Sequence, residues 1–142
     1  MATTLLVAVD FEEASRRAIE LAKQMAAPLG AKLALIHVYT LPVYTYPGLE
    51  PSILPGFHGE VTTAARRALE GLAEEVGVPD VVLREGDPVV EILAAAREWG
   101  ATMIVMGTHG RHGLAHALLG SVAEKIIRQS EVPVLTVRAQ EG

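Results

Sequence analysis

The chain has 142 residues and a mass of 15.1 kDa, the usual size of one domain built on one core, so a single domain over residues 1–142 is expected. Its formal net charge of −5 excludes a broad basic surface for nucleic acid or acidic membrane, since such binding relies on clustered Lys and Arg. There is no cysteine, which excludes disulfides, thiolate metal sites and thiol nucleophiles, and neither a signal-peptide start nor an apolar run of about 18 residues occurs. The expectation is a soluble, cytoplasmic protein with no nucleic-acid or membrane partner.

Half of the residues are hydrophobic and only 4% aromatic, so the core must be aliphatic, as in sheets covered by helices. In chain order, TLLVAV at 4–9 reads as a first strand. Ala14, Ala18, Leu21, Ala22, Met25 and Leu29 then recur at steps of three and four, a helix that Gly30 is placed to stop. KLALIHVY at 32–39 is a second strand. Residues 40–57 contain Pro42, Pro47, Pro51 and Pro55, an unusually long connection that serves either as a lid over a ligand or as a proline-stiffened surface crossing.

A second helical stripe runs from Val61 through Leu69 and Leu72 to Val76, followed by the strand VVLR at 81–84. Asp87 and Pro88 suit the start of a third helix, whose stripe is Val89, Ile92, Leu93 and Ala96 and which Trp99 closes. TMIVM at 102–106 is a fourth strand, Val122, Ala123, Ile126 and Ile127 mark a last helix, and PVLTV at 133–137 is a fifth strand. Strands alternating with helices imply an α/β fold: an open, doubly wound parallel sheet with right-handed crossovers and helices on both faces.

The chemistry concentrates after the fourth strand. Gly107 and Gly110 are two residues apart, and nine residues later come Gly120 and Ser121 at the start of the last helix. Glycines let the backbone approach a ligand closely, and the free N–H groups of a helix start favour an anion, so this segment suits a polyphosphate. The Ser121 hydroxyl serves either a phosphate or metal, or the helix as its cap. Asp10, at the end of the first strand, likewise either meets a ligand or caps the first helix.

The pattern Gly107-x2-Gly110-x9-Gly120-Ser121 resembles the nucleotide-binding motif of universal stress proteins. A VAVD-type first strand ending in Asp10, the HV pair at His37 and Val38, and the VPVLTV-type last strand extend the resemblance over nearly the whole chain. It implies a Rossmann-like adenine-nucleotide fold with strand order 3-2-1-4-5 and a ligand such as ATP or AMP, with Mg²⁺ or Mn²⁺ accompanying the phosphates. By position it implies that Gly107, His109, Gly110, Arg111, Gly120, Ser121 and Val122 meet the phosphates, with Met106 beside the ribose or base. Asp10 would meet the ribose or adenine, and Ala8, Val9 and Val38 would offer main-chain and apolar contacts. The resemblance also implies a homodimer formed through the fifth strand.

Enzymatic readings fare less well. There is no G-x-x-x-x-G-K-[ST] loop, no G-x-G-x-x-G after the first strand, and no acidic cluster of the kind a phosphorylated receiver needs. No Asp or Glu lies between Gly107 and Val122 to orient an attacking water, so at most slow hydrolysis is expected. Gly110 and Gly113 interrupt any helix that would align His109, His112 and His116 on a metal. His37 reads as a strand residue packed under helices and His58 as a surface residue.

Overall fold

The computed structural model describes residues 3–41, 55–108 and 119–139. Five strands, β1 (Thr3–Ala8), β2 (Ala31–Tyr39), β3 (Asp80–Glu85), β4 (Met103–Gly107) and β5 (Val134–Val137), alternate with four helices, α1 (Glu13–Leu29), α2 (Pro55–Val76), α3 (Pro88–Glu98) and α4 (Ser121–Gln129). The strands form one sheet of order β3-β2-β1-β4-β5, and every neighbouring pair is parallel.

Alternation along the strands divides the core into two layers. Leu5, Val7, Leu33, Leu35 and Val105 face α1 and α2, meeting Ala18, Ile19, Ala22 and Leu69. Leu6, Ala8, Ala34, Ile36 and Ile104 face α3 and α4, meeting Ile92, Ala95, Ala123 and Ile126. The near-continuous apolar strands therefore follow from burial on both faces.

Local signals end the helices as the sequence leads one to expect. Gly30 closes α1 at φ 62°, in the left-handed region that a side chain disfavours. Asp87 caps α3 by accepting the Val90 N–H at 3.1 Å, with Pro88 in the first turn. One expectation is corrected, and one of two alternatives falls. Pro55–Phe57, expected in the long connection, belong to α2, because proline is preorganised for a first helical turn. Of the two roles open to Asp10, the cap of α1 is not the one taken: the cap position is Glu12, whose side chain makes no capping hydrogen bond.

The order reverses between β1, with β2 on one side, and β4 on the other. The carboxyl ends of β1 and β4 thus part at a topological switch point, where open α/β sheets take their ligands.

Candidate functional site

A cavity of about 370 Å³ lies at this switch point, lined from the strand ends by Ala8, Val9, Asp10, Val38, Met106 and Gly107. Gly120, Ser121 and Val122 close it from the start of α4, and Ile92 and Pro88 from α3. One end is a polar helix terminus and the other an apolar slot.

The helix end is left open by its own sequence. Gly120, at φ −73° and ψ 163°, is the N-cap and has no side chain to fold back, while its N–H donates to the Thr108 carbonyl at 2.6 Å. The first intrahelical bond runs from Glu124 N–H to Gly120 O at 3.0 Å. The N–H groups of Ser121, Val122 and Ala123 precede it and have no intrahelical acceptor. Ser121 is the first helical residue, exposed, so its side chain is not the cap.

Gly107 is glycine for a reason the motif alone does not reveal. A Cβ there would stand 2.7 Å from Ala14 Cβ, so α1 packs on β4 with no room for a side chain. Thr108, the next residue, is buried and donates its N–H to Val137 O at 2.9 Å, tying β4 to β5 at the cavity floor.

Asp10 is held by a local network. Its Oδ1 accepts the Glu12 N–H at 3.0 Å, an Asx turn, and the Ser15 hydroxyl at 2.6 Å. The Ser15 oxygen accepts the Asp10 N–H in return, at 2.9 Å. Both bonds to the carboxylate fall on Oδ1, and Asp10 is the only acidic residue among the described residues that line the cavity.

On the β2 side the sheet is unzipped early. Its ladder with β1 ends at Ala8 and Ile36, followed by one bond from Val9 N–H to Ile36 O at 2.9 Å. The next rung would carry Val38 N–H to Val9 O, and among the described residues it is absent. His37 Nδ1 stands there instead, 2.8 Å from the Val9 oxygen. A carbonyl has no hydrogen to give, so Nδ1–H donates. Alternate residues of a strand turn their peptide groups to opposite edges. Ile36 bonds towards β1 and Tyr39 O, accepting from Gly86 N–H at 3.0 Å, towards β3. The Val38 N–H and C=O accordingly point into the gap beyond the end of β1.

The model of the universal stress protein family matches residues 1–138. The chain belongs to the universal stress protein family. It is thus related to stress-response proteins, and it is 36% identical to the Thermus aquaticus universal stress protein in the QAH/OAS sulfhydrylase 3′ region, over 97% of this chain and 100% of that one. Its fold is similar to that of MJ0577 of Methanocaldococcus jannaschii, with TM-score 0.78, 26% identity and coverage of 100% and 99% of the two chains. A universal stress protein solved in complex with cAMP superimposes with TM-score 0.61 and 29% identity, over 98% of each chain.

Against this universal stress protein fold, nine of the expected site residues come together around one cavity: Ala8, Val9, Asp10, Val38, Met106, Gly107, Gly120, Ser121 and Val122. His109, Gly110 and Arg111 lie outside the described residues, as does most of the long connection, 42–54. Ser15 and His37 were missed as site residues. Ser15 lies five positions after Asp10, on the first turn of α1, and that spacing was the available signal. His37 packs on Phe11, with ring centroids 4.6 Å apart, but it also lines the cavity, which its place in a strand does not announce. His58 is exposed and pairs with Glu85 at 3.2 Å, and Glu124 pairs with Arg128 at 2.8 Å, both away from the site.

Proposed function

We propose that the chain binds an adenine nucleotide, ATP in the first instance, and acts as a nucleotide-sensing stress-response domain rather than as a fast enzyme. One juxtaposition carries this reading: a single crevice joins a peptide edge at Val38 that is unpaired among the described residues to a helix start at Gly120 that has no side-chain cap. The N–H and C=O of one peptide edge form a donor and acceptor pair that matches N1 and the N6 amino group of adenine. Ala8, Ile36, Met106 and Ile92 provide an apolar slot for the ring. The α4 N-terminus, with Gly107 and Gly110 leading towards it, suits the phosphates. Asp10 meets the ribose or the base, while His109 and Arg111, outside the described residues, are assigned to the phosphates by their place in the glycine motif. The relative solved with cAMP supports an adenine nucleotide as the ligand class.

Mg²⁺ or Mn²⁺ would accompany the phosphates. Among the described residues no three His, Asp or Glu side chains gather into a metal cage. The exposed Ser121 hydroxyl at the α4 start fits a hard cation whose other ligands are phosphate oxygens and water. The contacts assembled here, amides and one hydroxyl, favour bound ground state and transition state alike, and such binding does not speed chemistry. Asp10, the acid lining the cavity, is engaged by Glu12 and Ser15 at the nucleoside end.

The proposed assembly is a homodimer through β5. That strand is a sheet edge with one neighbour, β4, and its Val134 and Leu135 are only half-buried. Mass spectrometry of small molecules released from the purified protein tests the ligand, with titration calorimetry against ATP, AMP and cAMP. Release of no nucleotide, together with no heat from any of the three, overturns the reading.

A further inference from the structure

In an unbroken parallel ladder the Val9 carbonyl would accept the Val38 N–H, one rung beyond the bond from Val9 N–H to Ile36 O. That carbonyl is instead taken by the side chain of the intervening residue, His37, at 2.8 Å. The ring packs on Phe11, with centroids 4.6 Å apart and planes tilted by 55°. Phe11 itself adopts φ 69°, the positive φ of a non-glycine residue among those described, in the short turn between β1 and α1.

We infer that His37 is a positioning residue that keeps β1 and β2 unzipped at their carboxyl ends, so that the Val38 peptide stays free as a donor and acceptor pair facing the cavity. The identity of the ligand rests on the adenine-nucleotide reading; the unzipping does not. A leucine at 37 leaves the Val9 oxygen without a donor, and the Val38 N–H is the group already aligned to replace it. The ladder then gains a rung and the ligand loses its peptide edge. An asparagine at 37 places an amide nitrogen close to where Nδ1 stands, so it preserves the bond to Val9. A histidine that merely fills space or satisfies a carbonyl predicts no change at Val38.

The test uses the full-length ¹⁵N-labelled protein without ligand, as wild type, His37→Leu and His37→Asn, read by NMR. In wild type the imidazole shows the Nδ1–H tautomer and the Val38 amide exchanges faster than that of Ile36. In His37→Leu the Val38 amide slows by at least about tenfold, and in His37→Asn it stays at the wild-type rate. Calorimetry then gives ATP binding weakened about tenfold in His37→Leu and kept within about threefold in His37→Asn, with tripolyphosphate binding unmoved in both. An Nε2–H tautomer, or a wild-type Val38 amide as protected as that of Ile36, overturns the proposal even if His37→Leu fails to fold. Unchanged Val38 exchange in a folded His37→Leu does the same, and so does unchanged ATP affinity once Val38 has slowed. If the exchange pattern holds while wild type binds no ATP, the role of His37 stands and the nucleotide reading falls.

Discussion

Ser15 and Asp10 are joined twice: the Ser15 hydroxyl donates to Asp10 Oδ1 at 2.6 Å and accepts the Asp10 N–H at 2.9 Å. One buried hydroxyl on α1 thereby sets both the backbone and the carboxylate of the residue that ends β1.

Ser15→Ala should destabilise the fold by about 1–3 kcal/mol, since the Asp10 N–H loses its acceptor in a partly buried place. Urea unfolding measures this. The same variant should weaken ATP binding, because the Asp10 carboxylate then loses the Ser15 bond; calorimetry at a temperature where the variant is folded gives the second number. Unaltered values in both would leave the pair without consequence.

Gly107→Ala should cost about 1–3 kcal/mol through overpacking, because its new Cβ would meet Ala14 Cβ at 2.7 Å. Adding Ala14→Gly should recover stability relative to Gly107→Ala, despite glycine's own cost in a helix of about 1 kcal/mol. Thermal melts of the two single variants and the double variant close the cycle; purely additive losses would mean that the contact is not the cause.

ATP with Mg²⁺ should raise the melting temperature, as a ligand at about 100 times its Kd adds about 2.7 kcal/mol to the native state. Gly120→Val and Gly110→Val should remove that rise. Retention of the full shift in both would detach the glycine motif from the phosphates.

Thr136→Pro should convert a dimer to a monomer without unfolding it. The carbonyls of Pro133 and Val137 bond back to β4, so Thr136, of opposite parity, turns its N–H outward along the free edge. Proline removes that donor and is tolerated on an edge strand. Sedimentation reads the result, and a variant that stays dimeric would place the interface elsewhere.

Phosphate release from ATP should lie far below the enzyme-typical rate of about 10 per second. Purified protein with Mg²⁺ or Mn²⁺ is compared with Gly120→Val, which controls for contaminating hydrolases. Turnover near that rate, lost in the variant, would make the chain an enzyme.

Much of this was legible in the sequence. Apolar periodicity switching between two and three-to-four residues is a local property, so it marked all five strands and four helices, with ends displaced by a residue or two except at the start of α2, which begins at Pro55. Gly30, Asp87 and Pro88 are likewise local, each specifying its helix end by its own backbone or side-chain chemistry. The glycine spacing and the family resemblance named nine residues that gather around the cavity. What only the tertiary structure decided depends on groups distant in sequence. Gly107 is constrained by Ala14, 93 positions before it, because α1 crosses β4 at contact distance. His37 reads as an ordinary strand residue until β1 ends beside it, and its ring takes the carbonyl that the sheet would have used.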